Sequence, residues 1–156
     1  MAEQHPYPRL NLPSVTLRAR RNAGRIEVWD ALRGCWLVLT PEEWVRQHVL
    51  SLLTARCRVP AGRRVCEYPV PLNGQPQRAD IVAVDRYGAP QIVVECKAAD
   101  VAIDQSVLDQ AVRYNSVLHA RFVVLTNGLT LRCLRRADNG EYSLCELADI
   151  ETEEPD

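Results

Sequence analysis

Three runs of β-favouring apolar residues constrain this chain most: Ile81-Val82-Ala83-Val84, Ile92-Val93-Val94 and Phe122-Val123-Val124-Leu125. None alternates with polar residues, and strands of that kind are covered on both faces. They read as the cores of strands over residues 78–85, 91–97 and 121–128. Residues 64–70 alternate and read as a further strand. Covering both faces needs helices, and the sequence supplies two. Thr40-Pro41-Glu42-Glu43 is a helix start, with Thr40 as cap, Pro41 in the first turn and Glu43 completing a capping box. Trp44, Val45, His48, Val49, Leu52 and Leu53 follow at helical spacing. A second helix is expected over residues 103–118.

Residues 26–29 and 36–39 flank Arg33-Gly34 as a short hairpin, and residues 129–135 and 142–147 form another around Asp138-Asn139-Gly140. The expected fold class is therefore α/β, with a mixed central sheet flanked by helices. With 156 residues, 47% hydrophobic and 25% charged, the chain has room for one domain with a real core. Residues 1–24, rich in Pro and Arg, read as an extended arm, 25–150 as the domain, and 151–156 as an acidic, disordered tail that aids solubility. The tail could instead cover the basic surface as a phosphate mimic.

Charge is unevenly spread. Residues 1–80 hold 12 Arg, no Lys and 7 acids, a net +5, whereas residues 81–156 hold 7 basic residues and 13 acids, a net −6. Six of those acids fall in residues 146–156, and the body without that stretch is +5. Such a body permits a polyanionic partner without demanding one. Six cysteines, at 35, 57, 66, 96, 133 and 145, form no CxxC, and the three histidines are scattered. They are expected to be reduced thiols acting as small hydrophobes, not a zinc site. No apolar run approaches the ~20 residues of a membrane span, and the N-terminus lacks the order of a secretory signal. No membrane association and a cytoplasmic location are expected.

The chemistry concentrates in one hairpin. A turn centred between Tyr87 and Gly88 sets Val84 opposite Gln91, Val82 opposite Val93, and Asp80 opposite Glu95. Opposed side chains on one face have Cβ atoms about 5 Å apart. Two carboxylates so placed repel at neutral pH unless positive charge lies between them. Glu95 and Lys97 are two apart and share that face. Lys97 is the one Lys among 19 basic residues, and Arg and Lys are chemically distinct. A hard divalent cation fits such a pair of acids, because Mg²⁺ takes one or two carboxylates and completes its shell with water and phosphate oxygens. The Lys97 ammonium could orient water or steady charge on a phosphate. A plain salt bridge is the competing reading. On the second helix Gln110 and Tyr114, four apart, share a face and could hold water, phosphate or a base; a polar helix edge explains them as simply.

Arg78-Ala79-Asp80, then Val94-Glu95-Cys96-Lys97, then Gln110-xxx-Tyr114 resembles the PD-(D/E)xK nuclease superfamily. More narrowly, the set resembles the nuclease domain at the N-terminus of type I restriction enzyme R subunits. Residues 39–47 and Leu125-Thr126-Asn127-Gly128 resemble short stand-alone members, and the likeness spans roughly residues 26–150. It implies a restriction-endonuclease-like core and a metal-dependent endonuclease that hydrolyses DNA phosphodiesters. Asp80, Glu95 and the backbone carbonyl of Cys96 would hold Mg²⁺, for which Mn²⁺ could substitute. Lys97 would help activate water, and Gln110 and Tyr114 would act near the DNA. A first-helix glutamate would join the site, with Glu43 or Glu42 as the candidate. Arg78-Ala79-Asp80 stands where the usual pattern has Pro-Asp.

Arg18, Arg20, Arg21, Arg132, Arg135 and Arg136 are candidates for DNA-backbone contacts, which carry no sequence information; a solvated surface explains them equally. No P-loop is present, so the chain has no motor. Its activity is expected to be weak, or governed by substrate structure, a homodimer or a nuclease-associated partner protein. The alternative is a silent DNA-binding or protein-interaction module with the same fold.

Overall fold

The computed structural model describes residues 6–150, so the acidic stretch 151–156 lies outside the described residues. In chain order the elements are β1 (Ala19–Asn22), β2 (Arg25–Asp30), β3 (Cys35–Val38), α1 (Pro41–Ala55), β4 (Arg64–Leu72), β5 (Gln75–Val84), β6 (Pro90–Cys96), α2 (Gln105–Leu118), β7 (Phe122–Thr126), β8 (Leu131–Arg136) and β9 (Tyr142–Cys145). A six-stranded sheet runs β4-β5-β6-β7-β8-β9, and a separate three-stranded sheet runs β1-β2-β3. In the larger sheet β6 and β7 pair parallel, with α2 as their crossover, and the other pairs are antiparallel. This is an α/β architecture compatible with a restriction-endonuclease-like core.

The apolar runs are covered on both faces, as their lack of alternation requires. Ile81, Ala83, Ile92, Val94, Phe122 and Val124 pack with Val45, Val49 and Leu53 of α1 and with Val28 of the small sheet. On the other face Val82 and Val93 meet Tyr114 and Leu118, and Val123 and Leu125 meet Val107 and Ala111 of α2. The Asp104 carboxylate caps α2 by accepting the Val107 N–H at 3.2 Å. Past its end, Asn115 exchanges hydrogen bonds with the Ala120 backbone at 2.7 and 2.9 Å, which fixes the entry into β7.

Three details depart from the sequence reading. First, the Thr40 half of the capping box forms, its hydroxyl accepting the Glu43 N–H at 3.0 Å, but the Glu43 carboxylate is engaged by Arg33 and Gln47 instead. Second, Val84 pairs with Pro90, not Gln91, through a register shift after Ala83. The cause is Asp85, whose carboxylate accepts the Tyr87 and Ala89 N–H groups at 2.8 and 2.9 Å and shapes the loop. Third, residues 6–24 are strapped to the body. Leu10 is 5% exposed, Asn11 N–H donates to the Gly128 carbonyl at 2.8 Å, Tyr7 donates to the Leu39 carbonyl at 2.6 Å, and residues 19–22 are β1. All six cysteines are free thiols.

Candidate active site

The site forms where β5 and β6 part. Their register holds through Ile81↔Val94. Beyond that step the Asp80 Oδ2 accepts the Cys96 N–H at 2.8 Å, taking the place of a backbone carbonyl in a continued ladder. β5 also rotates here. Ala79 packs on the α2 side while Ile81 packs on the α1 side, although strict alternation would put both on one face. On β4, Glu67 lies between the pairs Cys66↔Ile81 and Tyr68↔Ala79 and has a φ of 54°. The rotation lets Asp80 address Glu95 on one side and α1 on the other.

Glu95 is 3% exposed. Burial, then the Asp80 charge and a hydrogen bond to Asp80, push its carboxyl up to about 9, against the pull of Lys97. Its Oε1 is buried with no hydrogen-bond partner among the described residues. Buried carboxylate oxygens without a protein partner are rare enough to require a reason.

Helix α1 brings two more groups. Burial and Asp80 raise the Glu42 carboxyl above the usual range, while Arg46 and Lys97 oppose the rise. Arg46, 7% exposed, sets its guanidinium among carboxylates: 3.4 Å from Asp80, 3.5 Å from Glu42 and 3.4 Å from Glu43. Arg46 was not among the residues the sequence singled out. Its signal, an Arg three and four residues after two glutamates, is that of an ordinary helix-surface ion pair.

Glu43 takes a different place. It pairs with Arg33 from the β2–β3 turn and accepts Gln47 Nε2 at 3.0 Å. Arg33 in turn binds Asp30 through its backbone N–H and Nε, both at 2.8 Å. Burial pushes Asp30 up, but the hydrogen bonds and charge of Arg33, with Gln47, outweigh it and hold the carboxyl below the usual range. This network ties the small sheet to α1. Glu42 is thus the first-helix glutamate that stands with Asp80.

Lys97 is half-buried, anchored by its N–H to the Thr126 carbonyl at 2.9 Å, and its charge reaches Glu95 and Glu42. Gln110 Nε2 donates to the Tyr114 hydroxyl at 3.0 Å, which donates to Gln77 Oε1 at 3.1 Å. That chain fastens α2 to β5 three residues before Asp80. The arginines are dispersed. Arg18 and Arg20 lie over tryptophans of the small sheet, and Arg21 is on β1. Arg132 is exposed on β8, and Arg135 lies over Phe122. Arg135 and Arg136 line a basic cleft with His119 and Arg121, beside the starts of β6 and β7.

Among the described residues no three His, Cys, Asp or Glu side chains form a ready metal cluster. Two facing carboxylates with an orphaned buried oxygen nevertheless fit Mg²⁺, which needs few protein ligands and keeps several waters.

A family model described as "Type I restriction enzyme R protein N terminus (HSDR_N)" matches residues 41–150. No curated protein matches the chain. No helix of the described residues is long and apolar enough to cross a membrane.

Proposed function

The chain belongs to the type I restriction enzyme R protein N-terminal family, and on that premise we propose that it is a Mg²⁺-dependent endonuclease that hydrolyses DNA phosphodiesters in the cytoplasm. The observation that carries the reading is Glu95: buried, facing Asp80, its Oε1 without a partner among the described residues, with Lys97 two residues on. Asp80 and Glu95 would hold the ion, with the Cys96 carbonyl, and Mn²⁺ would serve in its place. Bound there, the ion supplies positive charge to the phosphate and a more acidic water. Asp80 is oriented for this by the Cys96 N–H. The Lys97 ammonium steadies the negative charge that grows on the phosphoryl oxygens and orients the attacking water. Glu42 is the first-helix acid of the site, in preference to Glu43. Gln110 and Tyr114 hold α2 against β5, so their part is positional. Partner subunits or a second copy would govern the activity.

A second reading is favoured by Arg46. Its guanidinium already supplies cationic charge at Asp80, which suits a binding module that keeps the fold without turnover. Supercoiled plasmid with Mg²⁺ separates the two. The nuclease reading expects nicking that is lost in Glu95→Gln and Asp80→Asn and strongly reduced in Lys97→Ala. Absence of nicking, or equal nicking by Glu95→Gln, removes it and leaves the binding module.

A further inference from the structure

The family match begins at residue 41, and β1–β3 lie ahead of it. Their sheet turns Val28 and Asp30 inward, at 0% and 1% exposure. The alternate residues form an outer face. There Trp29 stands opposite Trp36, ring centroids 5.6 Å apart at 67°. Arg18 lies 5.2 Å from the Trp36 centroid, and Arg20 lies 4.2 Å over the same ring. Glu27 holds the Arg20 Nε at 2.7 Å, and the Arg20 side chain remains 44% exposed. Val38, 38% exposed, continues the face. Residues 6–38 contain six Arg and two acids, and one of those acids, Asp30, is buried against Arg33.

We infer that this outer face binds an unpaired nucleic-acid strand. An Arg20 guanidinium lying on indole and held at its edge by a carboxylate is a flat, oriented cation. Its free face can stack a base, its outward N–H groups can reach a phosphate, and Arg18 and Val38 extend the surface. Base faces are open to stacking in single strands and hidden in a duplex. The positive excess complements the backbone of the strand. Simple packing of arginines on a Trp pair would stabilise the sheet but would show no dependence on bases. The inference deepens the nuclease reading by naming a substrate with an unpaired stretch, and it rests on that reading for the choice of DNA over RNA.

The test uses the full chain in EDTA, where no cleavage occurs. Binding of labelled oligo(dT), oligo(rU), an abasic DNA of the same length and a blunt duplex is followed by anisotropy at low salt. Oligo(dT) is expected to bind at least tenfold more tightly than the abasic strand and the duplex. Arg20→Lys keeps the charge but loses the plane, so it should remove most of the difference between oligo(dT) and the abasic strand. Trp36→Phe should weaken oligo(dT) binding severalfold. Equal affinity for oligo(dT) and abasic DNA, tighter binding of the duplex, or an unchanged Arg20→Lys would each overturn the inference. Preference for oligo(rU) would keep the surface but assign it to RNA. Plasmid nicking without base-dependent binding sinks this inference alone, and base-dependent binding without nicking sinks the nuclease reading alone.

Discussion

Replacing Glu95 by Gln should stabilise the metal-free protein at neutral pH. The Glu95 carboxyl is pushed up to about 9 from an ordinary 4.5. The folded chain therefore keeps a proton that the unfolded chain releases. A raised carboxyl contributes its full stability below the ordinary value and loses it as pH rises toward the folded one. Each pH unit in that window is worth about 1.4 kcal/mol, so at about pH 7.5 the ceiling is about 4 kcal/mol. Local relaxation around a buried charge lowers it, to about 2–4 kcal/mol. Gln is neutral, nearly isosteric, and can donate to Asp80 as the protonated acid does. For a chain of this size Glu95→Gln should raise Tm by about 5–15 °C at about pH 7.5, and by no more than a few degrees near pH 5 (~1 kcal/mol or less). Thermal melts followed by circular dichroism in EDTA at the two pH values measure both. An equal gain at both, or a loss at the higher pH, would mean that Glu95 does not hold a proton in the folded chain.

Arg46→Met leaves Asp80, Glu42 and Glu43 without their shared cation and should cost about 3–5 kcal/mol; millimolar Mg²⁺ should then raise the Tm of this variant more than that of the wild type, and the reverse order contradicts the account. Asp30→Asn should cost about 1–3 kcal/mol near neutral pH by taking the charge out of its hydrogen bonds with Arg33, which keeps its pairing with Glu43. Because Asp30 is held below its ordinary range, that gap should narrow as pH falls below the ordinary carboxylate range, and a gap in urea melts that does not narrow at all in acid speaks against it. At Gly128, φ is +86° and an added Cβ would lie 2.6 Å from Leu10 Cδ2. Gly128→Ala should therefore cost about 1–3 kcal/mol and speed tryptic cleavage after Arg9; unchanged digestion means the strap is not held there.

What the sequence revealed followed from how local each signal is. The apolar runs around Ile81, Ile92 and Phe122 declare their burial through the absence of alternation, and the loop at Asp85–Gly88 was enough to pair Val82 with Val93 and bring Asp80 to Glu95. The Thr40 cap is likewise written in four residues. β1 was not legible, because Ala19–Asn22 is exposed along its length and has no apolar pattern. It forms through the Ala23-Gly24 turn, where both residues take positive φ, 51° and 78°. Arg46 and the choice between Glu42 and Glu43 depend on partners far along the chain. Arg46 matters because it meets Asp80, 34 positions away, and Glu43 is drawn into a pairing with Arg33, which arrives from another turn.

Crystals soaked in Mn²⁺ and measured at its absorption edge would locate a cation held by Asp80 and Glu95. One anomalous peak between Asp80 and Glu95 is expected, with Arg46 drawn away from Asp80. Full-occupancy manganese elsewhere, or an undisturbed Asp80–Arg46 contact with no peak between the two acids, would contradict that placement.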